Sequence, residues 1–285
     1  MALISFARGS EPDGPCSSME ADDPGPACSS ARSLADPMPH LLSHPFRVTS
    51  YDVDPFGHLR PSSLMAYLQE AGRIHSKALG LSVAELHKQN KTWVMAQLRV
   101  QFLSRPPIDT DLIVQTWPSA REEREVIRDF EVATTEGQIV ARASASYVII
   151  DLTTRRAIRI GDLVPADYHH ARQAFPTPAR AIAKLARNDH EITLPVTMRD
   201  LDVNLHVNNV IYAQWALEPV PLDLWTTHRL DSLEIAYRSE IRRGDTVSIA
   251  IAIDAASSFL TISHQVTVVS SGAEAARIRT TWTPA

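Results

Sequence analysis

The chain repeats itself, and the repeat limits the folds open to it. Asp52, Asp54, His58 and Glu70 recur as Asp200, Asp202, His206 and Glu218, each 148 positions later. Val53/Leu201, Leu59/Val207 and Tyr67/Trp215 are similar pairs at the same spacing. Further along, Gly137, Ala141 and Arg142 recur as Gly272, Ala276 and Arg277, 135 positions later. Each coincidence is weak alone. Their shared order means that one unit of roughly 110–140 residues occurs twice.

Each copy has the same pattern. Trp93–Leu103 alternates, with Val94, Ala96, Leu98, Val100 and Phe102 on one face and Gln97, Arg99 and Gln101 on the other, so it reads as a half-buried strand. Leu112–Trp117, Val126–Ala133 and Ile139–Ile150 follow as strands. Before them a helix starts at Pro61, carries Leu64, Leu68, Ala71 and Ala78 at helical spacing and stops at Gly80. In the second copy Ile192–Thr197 is a strand. Asn208 or Asn209 caps a helix that Pro219 and Pro221 end, and strands follow over Leu233–Ile241, Val247–Ile253, Leu260–Val269 and Ala276–Trp282. A strand, a long apolar helix and a run of antiparallel strands describe a sheet curled round one helix. The expected class is therefore α+β, two tandem hotdog units, over residues 44–160 and 191–285. Residues 161–190 form a linker, with helix expected around Ala179–Arg187.

Residues 1–43 have a different composition, with six prolines, six acidic residues and two basic ones. They are expected to be a disordered tail. They lack the pattern of a signal peptide, and their acidity does not suit a transit peptide. The 10 glycines form no dinucleotide-binding, P-loop or nucleophile-elbow pattern. The only cysteines are Cys16 and Cys28, so the body has no disulfide and no cysteine nucleophile, which fits a cytoplasmic protein. The net charge of -5 leaves no nucleic-acid footprint, and no apolar run is long enough for a membrane span.

The stretch richest in chemistry is Arg199-Asp200-Leu201-Asp202-Val203-Asn204-Leu205-His206-Val207-Asn208-Asn209. In an extended chain Asp202, Asn204 and His206 share one face, and Val203, Leu205 and Val207 anchor the other. A carboxylate, an amide and an imidazole on one strip can activate water or a nucleophile and orient a substrate. The strip also runs into a helix N-terminus, whose free N–H groups can stabilise an oxyanion. The bland reading is that the aspartate and asparagine cap the helix and the histidine is a core residue. Three alternating polar residues before a helix favour the functional one. One histidine with an aspartate and an amide is a poor metal set, so neither a metal nor another cofactor is expected.

Asp200-Leu-Asp202-Val-Asn204-Leu-His206-Val-Asn208-Asn209, with Tyr212, Trp215, Leu217, Glu218 and Pro221, closely resembles the signature of fatty acyl-ACP thioesterases. Tyr237-Arg238-Ser239-Glu240, Thr92-Trp93-Val94 through Leu98-Arg99, and Thr153-Thr154-Arg155-Arg156 resemble further stretches of that family. The resemblance spans about His44 to Trp282. It implies a double hotdog and hydrolysis of acyl-ACP to fatty acid and ACP. It also implies Asp202, Asn204, His206 and Glu240 as catalytic residues. Many plant members carry a cysteine after that glutamate. Here the residue is Ile241, which excludes a cysteine mechanism.

Asp202 is then base or direct nucleophile, Asn204 holds the thioester, and His206 with Glu240 holds water and sets the protonation of Asp202. Glu240 has a bland reading too, as a strand-end partner of Arg238 or Arg242. In the first copy Phe56 stands where Asn204 stands and Pro61 where Asn209 stands. One active site per chain is therefore expected. Met65, Leu68, Trp93 and Met95 of the first copy are expected to bind the acyl chain. The partner is acyl carrier protein, which is acidic as the resemblance implies. Arg121, Arg124, Arg128, Arg155, Arg156, Arg159, Arg242 and Arg243 are candidates for its docking face, and a homodimer is compatible with the sequence. The rival readings are a hotdog enzyme acting on acyl-CoA, such as a thioesterase or dehydratase, and a non-catalytic acyl-binding protein.

Overall fold

The computed structural model describes residues 40–255 and 259–285; the sequence reading of residues 1–39 falls outside these. Ten strands pair antiparallel in one sheet: β1 (Leu42–Arg47), β2 (Lys91–Phe102), β3 (Asp111–Arg121), β4 (Glu125–Thr134), β5 (Ile139–Asp151), β6 (His190–Pro195), β7 (His228–Tyr237), β8 (Thr246–Ala255), β9 (Leu260–Val268) and β10 (Glu274–Pro284). Four helices accompany them: α1 (Pro61–Ala78), α2 (Val83–His87), α3 (Asn209–Leu217) and α4 (Leu222–Thr227).

The strand order is β1-β3-β4-β5-β2-β7-β10-β9-β8-β6. It reads the same from both ends, since β1 corresponds to β6, β2 to β7 and β5 to β10. Each half is five antiparallel strands packed on one helix, α1 of 18 residues in the first and α3 of 9 in the second, and the chain is two tandem hotdog units. The halves meet where β2 pairs with β7, with Leu98 opposite Ile235 and Val100 opposite Leu233. All four of these side chains are buried.

Local chemistry sets the helices. Proline fits the first turn of α1 because its missing N–H would be unpaired there. Leu64, Met65, Leu68, Ala71 and His75 form its buried face. Gly80 follows the helix end with φ +72°, a conformation that glycine adopts freely. The side chain of Asn208 accepts the N–H of Val210 and caps α3. Ala213 and Ala216 are fully buried on this helix, which packs beside α1, so both helices share one core.

The expected helix over Ala179–Arg187 does not form. The segment is an extended strap whose groups bond outward. The Ile182 carbonyl accepts from Arg277 at 3.1 Å, and the Arg187 guanidinium is taken by Asp189 and Asp254. Upstream, Arg99 lies over the ring of Phe175 at 4.0 Å and Arg172 over Trp117 at 4.4 Å. The Ala174 N–H bonds to Asp129, whose neighbours Arg128 and Phe130 face α1. By strand alternation the strap therefore covers the face opposite the helices.

A core that crosses the β2–β7 seam should unfold as one unit. Leu233→Ala is expected to cost about 2–5 kcal/mol and to move a single denaturation transition seen by both fluorescence and circular dichroism. Two separate transitions would show that the halves are not coupled.

Candidate active site

The loops that enter α1 and α3 are built alike. Thr49 and Thr197 each donate N–H and hydroxyl to an aspartate three residues on, Asp52 and Asp200. The Asp54 N–H bonds to the His58 carbonyl and the Asp202 N–H to the His206 carbonyl, both at 2.8 Å. The next residue, Leu59 or Val207, donates to the carbonyl of Pro106 or Ile241, both at 2.9 Å. Each turn has one residue with positive φ, Gly57 at +78° and Leu205 at +59°. Leucine in that region is strained by about 1–2 kcal/mol.

The strip Asp202–Val207 is therefore a tight turn rather than an extended strand. Val203 and Leu205 are 95% and 63% exposed, so neither anchors it; of the three apolar residues only Val207 is buried. The anchor is the Asp202 carboxylate. Its Oδ1 accepts the N–H of Asn204 at 2.8 Å and of His206 at 3.3 Å. Asp54 Oδ1 likewise accepts the N–H of Phe56 at 2.9 Å and of His58 at 3.0 Å.

The second carboxylate oxygen separates the two copies. Asp54 Oδ2 is bound by Arg105 Nη1 at 2.7 Å, and the pair is nearly buried. Among the described residues Asp202 Oδ2 has only the amide of Asn204, at 3.4 Å. The reason is a reversal of charge. His58 bridges to Pro107 and His206 to Arg242, so Arg105 and Glu240 hold corresponding places. A glutamate cannot pair with Asp202. It lies instead 3.3 Å from His206 Nε2 through Oε2, with Arg242 at 3.6 Å from the same oxygen. Its Oε1 pairs with Arg155. Tyr212 is close by. Burial, and then the Glu240 charge, pushes its phenol above the ordinary range and keeps it neutral.

The structure thus brings Asp202, Asn204, His206 and Glu240 to one place. Beside them α3 begins. Val210 and Ile211 donate to the side chain and carbonyl of Asn208, and the Asn209 N–H bonds to nothing among the described residues. Its counterpart Pro61 has no N–H at all. Asn209 and Val210 also line a narrow apolar cavity with Met65, Leu68, Met95, Leu98, Phe130, Ala145 and Tyr147. The cavity is small and lies between the α3 N-terminus and side chains of the first half. A second, larger cavity lies beneath the strap, with a mixed wall that includes Glu122, Glu125 and Asp129 as well as Ile127, Phe175 and Pro176.

Three of the four expected acyl-chain residues line the first cavity, and Trp93 does not. It packs with the cluster around Leu79, Leu81 and Tyr168 and donates its indole N–H to the Leu81 carbonyl at 2.8 Å. Among the arginines expected to dock a partner, Arg128 is 4% exposed and bonded to His75, Thr116 and Tyr168, so it cannot present a charge outside. Sequence reasoning overlooked Arg105 as the counterpart of Glu240, although the two are 135 residues apart, the spacing already seen for Gly137 and Gly272. It named Arg155 only as a surface charge. Among the described residues no helix is long and apolar enough to cross a membrane, and no cluster of potential ligands could hold a metal ion.

Residues 40–168 match the family described as acyl-ACP thioesterase N-terminal domain, and residues 183–284 match its C-terminal domain. The chain is 29% identical over 265 residues to the chloroplastic palmitoyl-acyl carrier protein thioesterase of Gossypium hirsutum, covering 86% of this chain and 64% of that protein. It therefore spans less than two thirds of that relative's length. Among solved structures it superimposes on a 12:0-ACP thioesterase from Umbellularia californica with TM-score 0.78, at 26% identity, over 86% of this chain and 94% of that one. A putative oleoyl thioesterase from Lactobacillus plantarum gives TM-score 0.77 at 26% identity, over 86% and 96% of the two chains.

The Arg105–Asp54 pair should matter for stability alone. Arg105→Ala leaves a nearly buried carboxylate without its partner and is expected to destabilise by about 1–3 kcal/mol in urea titrations. Asp54→Asn should leave turnover by the Asp202 site within a few-fold. Loss of turnover in a folded Asp54→Asn protein would contradict a single active site.

Proposed function

Because the chain belongs to the acyl-ACP thioesterase family, we propose that it hydrolyses acyl-ACP of medium or long chain to free fatty acid and ACP, at one site in the second half. The observation that carries this reading is Oδ2 of Asp202, which among the described residues meets only the Asn204 amide, set against the same oxygen of Asp54 locked by Arg105.

The acyl chain lies in the cavity between Met65, Leu68 and Met95, which puts the thioester carbonyl at the start of α3. There the Asn209 N–H and the Asn204 amide can donate to the carbonyl oxygen as it gains charge. Two N–H bonds fix Oδ1 of Asp202, so Oδ2 is the reacting atom. It either takes a proton from water or attacks the carbonyl itself, and both routes need it ionised and unpaired. His206, steadied by Glu240, holds the water. If water attacks, its oxygen bonds to the carbonyl carbon as Asp202 takes its proton, the carbon–sulfur bond breaks, and that proton passes to the leaving sulfur. If Asp202 attacks, the carbon–sulfur bond breaks to leave a mixed anhydride, which water then cleaves to fatty acid and free Asp202, supplying the thiol's proton. Thiols have a parent pKa of about 8.5, so no strong general acid is needed. The exposed Val203 and Leu205, with Arg242 bridged to His206, Arg243 next to it and Arg156 next to the arginine that reaches Glu240, give the acidic carrier an apolar and basic rim to dock on.

Asp202→Asn is nearly isosteric and should keep the fold while lowering acyl-ACP hydrolysis by roughly 100-fold or more. Full activity in that variant would sink the assignment. Methionine is a flexible filler, so Met65→Ala or Met95→Ala should move the released fatty acids towards longer chains, read by gas chromatography of products from mixed acyl-ACP. An unchanged profile would place the chain elsewhere.

A further inference from the structure

Glu240 divides its two oxygens between partners from different halves of the chain. Oε2 faces His206 at 3.3 Å, a residue of the second half, while Oε1 pairs with Arg155, which follows β5 of the first half. The turn that presents Arg155 is tightly built. Asp151 Oδ1 accepts the N–H of Thr153 at 3.0 Å and of Thr154 at 2.7 Å, and its carbonyl accepts the N–H of Arg155 at 2.9 Å. The Asp151 N–H in turn donates to the Arg156 carbonyl at 3.0 Å. Asn90, just before β2, clamps the turn from the side. Its carbonyl accepts the Leu152 N–H at 2.9 Å and its amide donates to Thr153 Oγ1 at 2.8 Å. Arg155 itself has φ +58°. A non-glycine residue in that region is uncommon and persists where the surroundings impose it.

We infer that Arg155 is a positioning residue: the first half lends its guanidinium to hold Glu240 Oε1, so that Oε2 stays turned to His206. The inference rests on the reading of Asp202, His206 and Glu240 as the hydrolytic site. Arg242 cannot replace it, because it approaches the same oxygen that His206 uses, at 3.6 Å, and its side chain is 67% exposed against 43% for Arg155. Without Arg155, the Arg242 charge would draw Glu240 away from the imidazole. A half-exposed ion pair adds little stability, so the value of this one lies in geometry, to which catalytic groups are sensitive.

The test uses the full chain and acyl-ACP. Arg155→Ala is expected to lower kcat by roughly 10-fold to 100-fold with KM changed less than about threefold and the melting temperature little changed. The contact uses a single guanidinium nitrogen, so Arg155→Lys should recover much of the lost kcat, whereas the uncharged Arg155→Gln should not. Arg242→Ala, which takes a charge from the proposed docking rim, should instead raise KM and spare kcat. If Arg155→Ala raises KM and spares kcat, the residue docks the carrier and the inference is wrong. It is equally wrong if Arg155→Gln, folded, turns over as wild type does. Glu240→Ala separates the two levels. Should it abolish turnover while Arg155→Ala does not, the site stands and only the positioning role falls. Should Glu240→Ala leave turnover intact, both fall.

Discussion

Everything at the candidate site hangs on one carboxylate that closes a turn. Asp202 Oδ1 gathers the N–H groups of Asn204 and His206, and this shapes the entry to α3. The same bonds made by Asp54 shape the entry to α1. In both copies the aspartate is a structural necessity, because the turn would otherwise leave two N–H groups without a partner. Chemistry then depends on the oxygen left over. Where a cation meets it, as Arg105 meets Asp54, the carboxylate is spent on the fold. Where an anion stands in that place, as Glu240 does, the second oxygen of Asp202 is left for a substrate.

The charge reversal makes further demands. A glutamate beside an aspartate needs positive charge of its own, and Arg155 and Arg242 supply it. One of these comes from the other half of the chain. The cavity proposed for the acyl chain also joins the halves, with Asn209 and Val210 of α3 and Met65 and Leu68 of α1 in its lining. Neither half could therefore work alone. The β2–β7 pairing and the shared core keep the parts of one site in register.

The duplication was legible because it fixes polar residues at a constant spacing, and the strands because their alternation is regular. The failures have physical causes. Alternation of Asp202, Asn204 and His206 suggested an extended strip, yet Leu205 matches Gly57 at the repeat spacing, and that glycine marks a left-handed turn. The segment Ala179–Arg187 has helix-forming residues, but the Ile182 carbonyl is claimed by Arg277 and the Arg187 guanidinium by Asp189 and Asp254. Trp93 alternates with Met95, but its indole bond to the Leu81 carbonyl and its packing against the Leu79 cluster commit it elsewhere. The contact of Arg155 with Glu240 joins residues 85 apart and has no local signature. Only the folded sheet brings them together.

A repeated fold with one proposed site poses the question of what the other copy lacks, and the two turns differ in three respects. Arg105 occupies Oδ2 of Asp54. Phe56, 42% exposed, stands in place of the Asn204 amide. Pro61 begins α1 with no N–H where Asn209 offers one to α3. Each change removes a different part of the chemistry: the reacting oxygen, the side-chain donor and the backbone donor. Each is also a sound structural choice, since an ion pair satisfies a nearly buried acid and proline suits the first turn of a long helix. The first half thus gives up the parts that act on a thioester and keeps a stable 18-residue helix. The buried face of that helix, with Met65 and Leu68, is what the cavity of the second half's site requires.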